Sequence, residues 1–227
     1  MPNPDISTIH TMGDKKKALA LTGQALKPYC VANYSQDAAI TKALGAGSDV
    51  KGGVCLALSM HWMRTHQNSR NTPRFGDVGL LNSQQVLVAA RNIQLAYQGS
   101  KGRAGGQGEE ASQQAGIAFA CKLFGMSMVG ALAKHAMSDD GLRSKLRQVH
   151  RYHVIAMTGF GIGHAIAAYM SSGKIFGLSR HVYIFDPNIG ELKIPESELA
   201  YVLQALTGRY KLLGSNFTGC YLAEIKP

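Results

Sequence analysis

The chain has 227 residues and a mass of 24.3 kDa, which suits one compact domain with local extensions. Hydrophobic residues make up 45% of the chain and charged residues 17%, so disorder along its whole length is excluded. The 24 Lys and Arg residues outnumber 14 Asp and Glu residues and give a net charge of +10. This charge favours an acidic partner such as nucleic acid, anionic lipid or an acidic protein face, without choosing among them.

The four cysteines lie far apart and none forms a Cys-x-x-Cys pair. A zinc knuckle, a thioredoxin-like motif and a dense disulfide scaffold are therefore excluded. The N-terminus carries Pro2, Pro4 and Asp5 in place of a basic segment followed by an apolar one, so we expect no secretory signal of the usual kind. Residues 1–14 are predicted to form a loose leader, and residues 15–227 a single domain.

Helical periodicity dominates the first two thirds of the chain. Apolar residues recur there at helical spacing, in stretches separated by Gly and Pro. The glycine-rich and basic residues 99–108 are predicted to form a surface loop or flexible link. Helices are predicted over residues 18–26, 54–63, 83–97, 109–135 and 139–149.

The last third of the chain has a different pattern. β-Branched and aromatic runs bounded by Gly, Ser, Pro and Asn predict strands. A Pro followed by two Glu residues predicts one more helix, over residues 195–207. The strands are predicted over residues 152–158, 164–170, 181–185 and 217–225. Helices followed by strands indicate an α+β domain, with a helical front half packed on an antiparallel sheet.

Three residues have the types and positions that thiol catalysis requires. Such catalysis needs a stabilised thiolate, a histidine to exchange the proton and a polar group to orient the imidazole. Cys55 follows two glycines in the first turn of a predicted helix, where the dipole and free N–H groups lower a thiol pKa. His164 opens a predicted strand and Asp186 ends the next. By residue type alone, a core cysteine, a strand histidine and a plain turn remain an open interpretation.

Three sequence blocks around these residues resemble the YopT/AvrPphB-type cysteine proteases, which are bacterial effectors with a papain-like fold. The first block is Gly-Val-Cys-Leu-Ala-Leu-Ser with Trp62 after it, and the second is His-Ala-Ile-Ala from His164. The third, Phe-Asp-Pro-Asn-Ile-Gly-Glu, ends at Glu191 and holds the most specific string. The order Cys, His, Asp and the interval between Cys and His also match. The resemblance covers about residues 45–221.

The resemblance implies a role for each residue. Cys55 corresponds to the nucleophile, His164 to the general base and acid, and Asp186 to the residue that orients His164. The domain of residues 15–227 would then be papain-like and catalytic, a thiol protease that hydrolyses a protein substrate through an acyl-enzyme intermediate. The resemblance further implies a virulence effector or toxin, secreted by a non-classical bacterial route and acting inside a target or host cell.

Two features depart from the family pattern. The segment between His164 and Asp186 is longer than usual, and residues 171–179 look like an insertion beside the substrate cleft. The Gln or Asn that papain-like enzymes carry shortly before the Cys to bind the oxyanion is missing. Ser48 or Asp49 would have to replace it, or the backbone N–H of Cys55 would act alone.

Two other functions stay open, and the missing amide adds weight to the first of them. A papain-like glutamine deamidase, a transglutaminase-like enzyme or a peptidoglycan amidase also uses Cys and His. A non-catalytic basic binding module, with Cys55 as a core residue, is the alternative from a different class. Chemical labelling separates the two classes, because only an activated thiolate in a cleft reacts selectively with a thiol probe.

The expected partners follow from the charge and the motifs. The histidines lack carboxylate or Cys neighbours at ligand spacing, so no metal is expected, and no cofactor is predicted. The basic residues have few aromatic neighbours, which disfavours specific nucleic-acid binding. Besides a protein substrate, the candidate partners are an anionic membrane surface and a chaperone or immunity protein.

Overall fold

The computed structural model describes residues 12–45, 54–68, 81, 83–103, 105–159, 162–173 and 179–227. Within these ranges the helices are α1 (Met12–Leu26), α2 (Gln36–Leu44), α3 (Cys55–Asn68), α4 (Gln84–Arg103), α5 (Glu109–Leu123), α6 (Asp140–Leu146) and α7 (Leu199–Leu212). The strands are β1 (Cys30–Asn33), β2 (Ser127–His135), β3 (Tyr152–Gly159), β4 (Ile162–Met170), β5 (His181–Asp186), β6 (Gly190–Pro195) and β7 (Phe217–Lys226). No helix within the described ranges combines the length and apolar character that a bilayer crossing requires.

The strands form one antiparallel sheet in the order β1-β6-β5-β4-β3-β7-β2. Because successive side chains of a strand point to opposite faces, the sheet contributes to two cores. In β3, Val154 packs in the core that holds α2 to α5, whereas Ile155 packs in the core that holds α6 and α7. This arrangement confirms the predicted α+β class with helices packed on an antiparallel sheet.

Helix α3 is the most deeply buried helix of the first core. Nearly every residue from Cys55 to Met63 is buried, because β4 covers one side of the helix and α4 another. The hydroxyl of Ser59 donates a hydrogen bond to the carbonyl oxygen of Ala165 in β4 over 3.1 Å. This bond satisfies a buried polar group and fixes the height of α3 on the sheet. It therefore sets where the start of α3 lies relative to β4.

The predicted helix over residues 109–135 is wrong in its second half. Helix α5 ends at Leu123, and Gly125 has a φ of +64°. This left-handed conformation suits glycine and ends the helix, with the N–H of Met126 bonded to the carbonyl of Cys121 at 2.8 Å. The residues that follow form β2 and pair with β7. The short apolar run of these residues fits either a helical or a strand period, and pairing with β7 makes it a strand.

The predicted loop over residues 99–108 is also wrong at its start. Helix α4 continues through Gly99 and Gly102 to Arg103. Two glycines cost about 1 kcal/mol each in a helix interior. Packing of α4 on α5 offsets that cost, and the hydroxyl of Ser112 in α5 bonds to the carbonyl of Lys101 at 2.8 Å. Tertiary contacts therefore extend the helix beyond the point that local preference predicts.

Strands β1 and β6, which the sequence pattern did not predict, meet at an unusually close approach. Gly190 has a φ of +124° and lies opposite Asn33. A Cβ at this position would overlap the carbonyl oxygen of Ala32 and lie 2.8 Å from the backbone nitrogen of Tyr34. Glycine is therefore required here both by conformation and by space.

Replacing Gly190 by Ala should destabilise the protein by at least about 2 kcal/mol, because the added Cβ combines backbone strain with a clash against β1. Gly214 provides a matched control, since its φ is +92° but no heavy atom lies within 4 Å of the Cβ that alanine would add. Gly214→Ala should cost about 1 kcal/mol from conformation alone. Urea unfolding of both variants measures the difference. Equal losses would contradict the close approach at Gly190.

Candidate active site

The N-terminus of α3 holds Cys55. The carbonyl of Val54 accepts the first bond of the helix, from the N–H of Leu58 at 2.9 Å. Cys55 therefore lies in the first turn, where backbone N–H groups have no acceptor within the helix. Its side chain is buried, yet it forms part of the wall of an open cleft. A thiol at this position lies in the positive field of the helix dipole.

His164 lies in β4, one residue before Ala165, whose carbonyl oxygen accepts the hydrogen bond from Ser59 in α3. The residue is 7% exposed. The Nε2 atom of the ring lies 2.9 Å from Oδ1 of Asp186. The Cys55 thiol also acts on the ring, because its interaction with the imidazole raises the pKa of His164. Because Nε2 faces Asp186, the other ring nitrogen, Nδ1, is the one available to the thiol.

Asp186 ends β5 and is completely buried. Its Oδ1 atom accepts a hydrogen bond from the backbone N–H of Asn188 at 2.9 Å, and its carbonyl accepts one from the N–H of Ile189 at 3.0 Å. These bonds form the Asp-Pro-Asn turn between β5 and β6 and fix the carboxylate. The structure thus brings together the three residues that the sequence singled out. Ser48 and Asp49 lie outside the described residues, as do residues 174–178 of the expected insertion.

The electrostatic environment favours a proton on His164 rather than on Cys55. Burial raises the pKa of the Cys55 thiol, but the hydrogen bond and charge of His164, with backbone N–H groups of Ala165 and Leu56, lower it below its ordinary value. Burial lowers the pKa of His164, but the charge of Asp186 and hydrogen bonds to Asp186 and Cys55 raise it to about 10. Both shifts favour the pair of thiolate and imidazolium over the pair of neutral side chains.

Tyr210 joins these residues from α7, and the sequence did not indicate it. Its hydroxyl oxygen lies 2.8 Å from Nε2 of His164 and 2.9 Å from each carboxylate oxygen of Asp186. The predicted helix ended near residue 207, before Gly208, whereas α7 runs to Leu212. Continuing the helical period past Gly208 would have placed Tyr210 on the buried face of the helix.

A buried amide, Gln36 at the start of α2, links the Asp-Pro-Asn turn to the start of α3. Its Oε1 atom accepts a hydrogen bond from the backbone N–H of Val54 at 3.0 Å. Its Nε2 atom donates to Oδ1 of Asn188 at 2.7 Å. Asn188 in turn donates from Nδ2 to the hydroxyl of Tyr210 at 3.1 Å. No local sequence signal marks Gln36, because its partners come from distant segments.

Trp62 and Glu191, from the first and third sequence blocks, are in direct contact. The indole Nε1 of Trp62 donates a hydrogen bond to Oε2 of Glu191 at 2.8 Å. The indole also stacks on Phe185, with ring centroids 5.9 Å apart and planes inclined by 8°. This contact connects α3 to β5 and β6 and holds the start of α3 near the end of β5.

The cleft beside Cys55 and His164 has a volume of about 420 Å³. Besides Cys55 and His164, the described residues of its lining include one charged side chain of each sign, Asp37 and Lys101. The wall formed by α4 and α5 is closely packed, since a Cβ on Gly116 would overlap the ring of Tyr97. The other described residues of the lining are Gln36, Leu56, Gln94, Tyr97, Gln98, Gln113, Ile117, Ala156, Met157, Gly163, Ala165, Asn188, Tyr210, Ser215 and Phe217.

Known proteins that resemble this chain agree with the fold and with the family. The crystal structure of the Pseudomonas avirulence protein AvrPphB has a TM-score of 0.67 and 16% sequence identity, with 89% of this chain and 100% of that chain covered. At this identity the likeness supports the fold, and it confirms the papain-like class. No curated protein matches this chain. The model of the Peptidase_C58 family, described as Yersinia/Haemophilus virulence surface antigen, matches residues 28–220. The chain therefore belongs to this family and is a cysteine peptidase.

Proposed function

We propose that this peptidase cleaves a protein substrate by thiol catalysis, with Cys55 as nucleophile, His164 as general base and acid, and Asp186 as the residue that orients His164. The observation that supports this best is the position of the His164 ring. It lies between the Cys55 thiol and the Asp186 carboxylate, at the wall of an open cleft. The three residues come from α3, β4 and β5, so this arrangement depends on the packing of elements that are distant in the sequence.

The reaction begins with the proton on His164 and the negative charge on Cys55. The thiolate attacks the carbonyl carbon of the peptide bond, and the imidazolium gives its proton to the departing amine nitrogen as the C–N bond breaks. A thioester to Cys55 remains. His164 then takes a proton from a water molecule, whose oxygen attacks the thioester carbonyl and releases the carboxylic acid and the thiolate. Asp186 holds the ring in place during both proton transfers.

The oxyanion formed during the attack requires hydrogen-bond donors. We assign the backbone N–H of Cys55 to this role, because the first N–H groups of α3 have no acceptor within the helix. Ser48 and Asp49 stay predictions for a second donor. In other enzymes, removing one such oxyanion donor lowers the rate by about 10²-fold to 10³-fold.

The substrate and the setting follow the family. We propose that the protein is a secreted virulence effector or toxin that leaves a bacterium by a non-classical route and cleaves a protein inside a target or host cell. The net charge of +10 suits an acidic protein face or an anionic membrane surface as a docking partner. A chaperone or immunity protein is proposed as a second partner.

Mass spectrometry of a peptide library incubated with the protein tests the reaction type. Peptide hydrolysis should yield two fragments whose summed mass exceeds the parent by one water. Deamidation would leave the parent peptide whole and change its mass by about one dalton, because only a side-chain amide nitrogen is exchanged for oxygen. A Cys55→Ala sample processed in parallel measures the background hydrolysis, which is then subtracted. Whole peptides with that small mass change would overturn the protease assignment in favour of a deamidase.

A further inference from the structure

The hydroxyl of Tyr210 has one proton but lies within hydrogen-bond distance of three residues, His164, Asp186 and Asn188. It lies 2.8 Å from Nε2 of His164 and 2.9 Å from both oxygens of Asp186. The amide Nδ2 of Asn188 approaches the same oxygen to 3.1 Å. A phenol has one proton to donate and lone pairs to accept with. Its hydrogen bonds can therefore be assigned by elimination.

Burial and the charge of Asp186 raise the pKa of Tyr210, so its hydroxyl keeps its proton. The carboxylate of Asp186 is an acceptor only, so it takes the phenol proton. The amide of Asn188 is a donor and occupies one lone pair of the phenol oxygen. The remaining lone pair faces Nε2 of His164, and this contact is satisfied only if Nε2 carries a proton.

We propose that Tyr210 is a positioning residue that keeps the proton of His164 on Nε2 and thereby directs Nδ1 at Cys55. This inference rests on the proposed function of the three residues at the cleft. The His164 Nε2–H group then lies between two acceptors, the Asp186 carboxylate and the Tyr210 oxygen, and cannot turn toward either without losing the other. The imidazolium is stabilised by two acceptors, and its neutral form has one tautomer.

The contacts around Tyr210 hold its side chain in one position. The residue is 4% exposed, and its ring packs edge-on against Phe217, with centroids 5.4 Å apart at 70°. The hydroxyl is held from β5 and from the turn that follows it, while the ring is held by β7. Besides Tyr210 itself, the titratable groups among the described residues of the cleft lining are Cys55, His164, Tyr97, Asp37 and Lys101. A change of Tyr210 to Phe keeps all five of these side chains.

Tyr210→Phe removes the hydroxyl and keeps the ring that packs on Phe217. Loss of one acceptor should lower the pKa of His164, and a weaker imidazolium should raise the pKa of the Cys55 thiol. The acid limb of the pH profile of kcat/KM should therefore move to higher pH and the basic limb to lower pH, by about half a pH unit or more on each limb. The profile narrows as a result. We expect kcat to fall about tenfold with KM unchanged, since the hydroxyl acts through His164.

Alkylation by iodoacetamide reports the same change without a substrate. The rate at which Cys55 is carboxymethylated, followed by mass spectrometry of its peptide, measures the thiolate fraction at each pH. For Tyr210→Phe the rate at pH 6 should fall about threefold to tenfold, while the rate at high pH stays at the wild-type value. Tyr201→Phe is the matched control, because it removes a hydroxyl from the same helix outside the cleft lining. It should leave the profile unchanged.

The outcomes separate this inference from the proposed function. A wild-type profile in which Cys55 reacts as an ordinary thiol would overturn the proposed function and this inference with it. A wild-type profile shifted to low pH and unchanged in Tyr210→Phe would overturn this inference alone, as would a loss of reactivity by one factor at every pH. If Tyr210→Phe does not fold, Asn188→Ala removes the donor that orients the hydroxyl, and the same narrowing is expected. An unchanged profile there would also overturn the inference.

Discussion

Replacing Cys55 by Ala should lower peptide cleavage by at least about 10³-fold while the melting temperature changes little. The thioester cannot form without the sulfur atom, and removal of a nucleophile leaves only the contribution of the oxyanion site and of substrate binding. The folded state loses one sulfur atom at the cleft wall rather than a large apolar group from the core, so the expected loss of stability is small. Steady-state cleavage assays and calorimetry measure the two effects.

Cys30→Ser is the control for this change. Cys30 is the most exposed of the four cysteines, which are all free in the described structure, and its thiol bonds to Oδ1 of Asn33 away from the cleft. We expect this variant to keep wild-type cleavage. Retained activity in Cys55→Ala, or equal losses in the two variants, would contradict the role assigned to Cys55.

Replacing Asp186 by Asn should lower kcat by about 10²-fold to 10⁴-fold, because the amide can present an N–H to Nε2 of His164. The neutral ring would then carry its proton on Nδ1, facing Cys55, and could not accept the thiol proton. Without the charge of Asp186, which raises the pKa of His164 to about 10, the imidazolium is lost at a lower pH. The basic limb of the pH profile of kcat/KM should therefore move downward, and the acid limb upward. A pH series of cleavage rates measures both.

The chain contains a second His–Asp pair that serves as a control for this variant. Nδ1 of His135 lies 2.7 Å from Oδ2 of Asp139, at the end of β2 and outside the cleft lining. Asp139→Asn weakens a pair with the same chemistry and should leave kcat and the pH profile unchanged. If Asp139→Asn and Asp186→Asn had equal effects, the loss would be one of folding and the orienting role of Asp186 would be refuted.

The third sequence block was the most informative string because several of its residues have separate partners in the structure. Asp186 contacts His164, Asn188 contacts Gln36 and Tyr210, Gly190 allows the approach of β1, and Glu191 accepts a hydrogen bond from Trp62. The proline lies in the turn that joins β5 to β6. A short motif with this many contacts cannot vary freely, so resemblance at this string predicted both family and fold.

Other features depend on contacts between distant segments and left no local trace. Residues 127–135 were predicted to be helical, and pairing with β7 makes them a strand. Tyr210 lies after a glycine that locally signals the end of a helix, yet packing keeps Gly208 within α7. Gln36 lies in a short helix whose residue pattern contains nothing unusual. Residue types and spacing therefore pointed to the three side chains that meet at the cleft, while the residues that hold them in place required the fold.

Covalent labelling by a peptidyl epoxide, followed by mass spectrometry of the digested protein, tests the central claim most directly. The claim is that Cys55 is a thiolate activated by His164 in a cleft that accepts a peptide. The account predicts one adduct, on the peptide that contains Cys55, and its loss in a folded His164→Ala variant. Labelling of Cys30 in preference to Cys55, or undiminished labelling of Cys55 without His164, would contradict it.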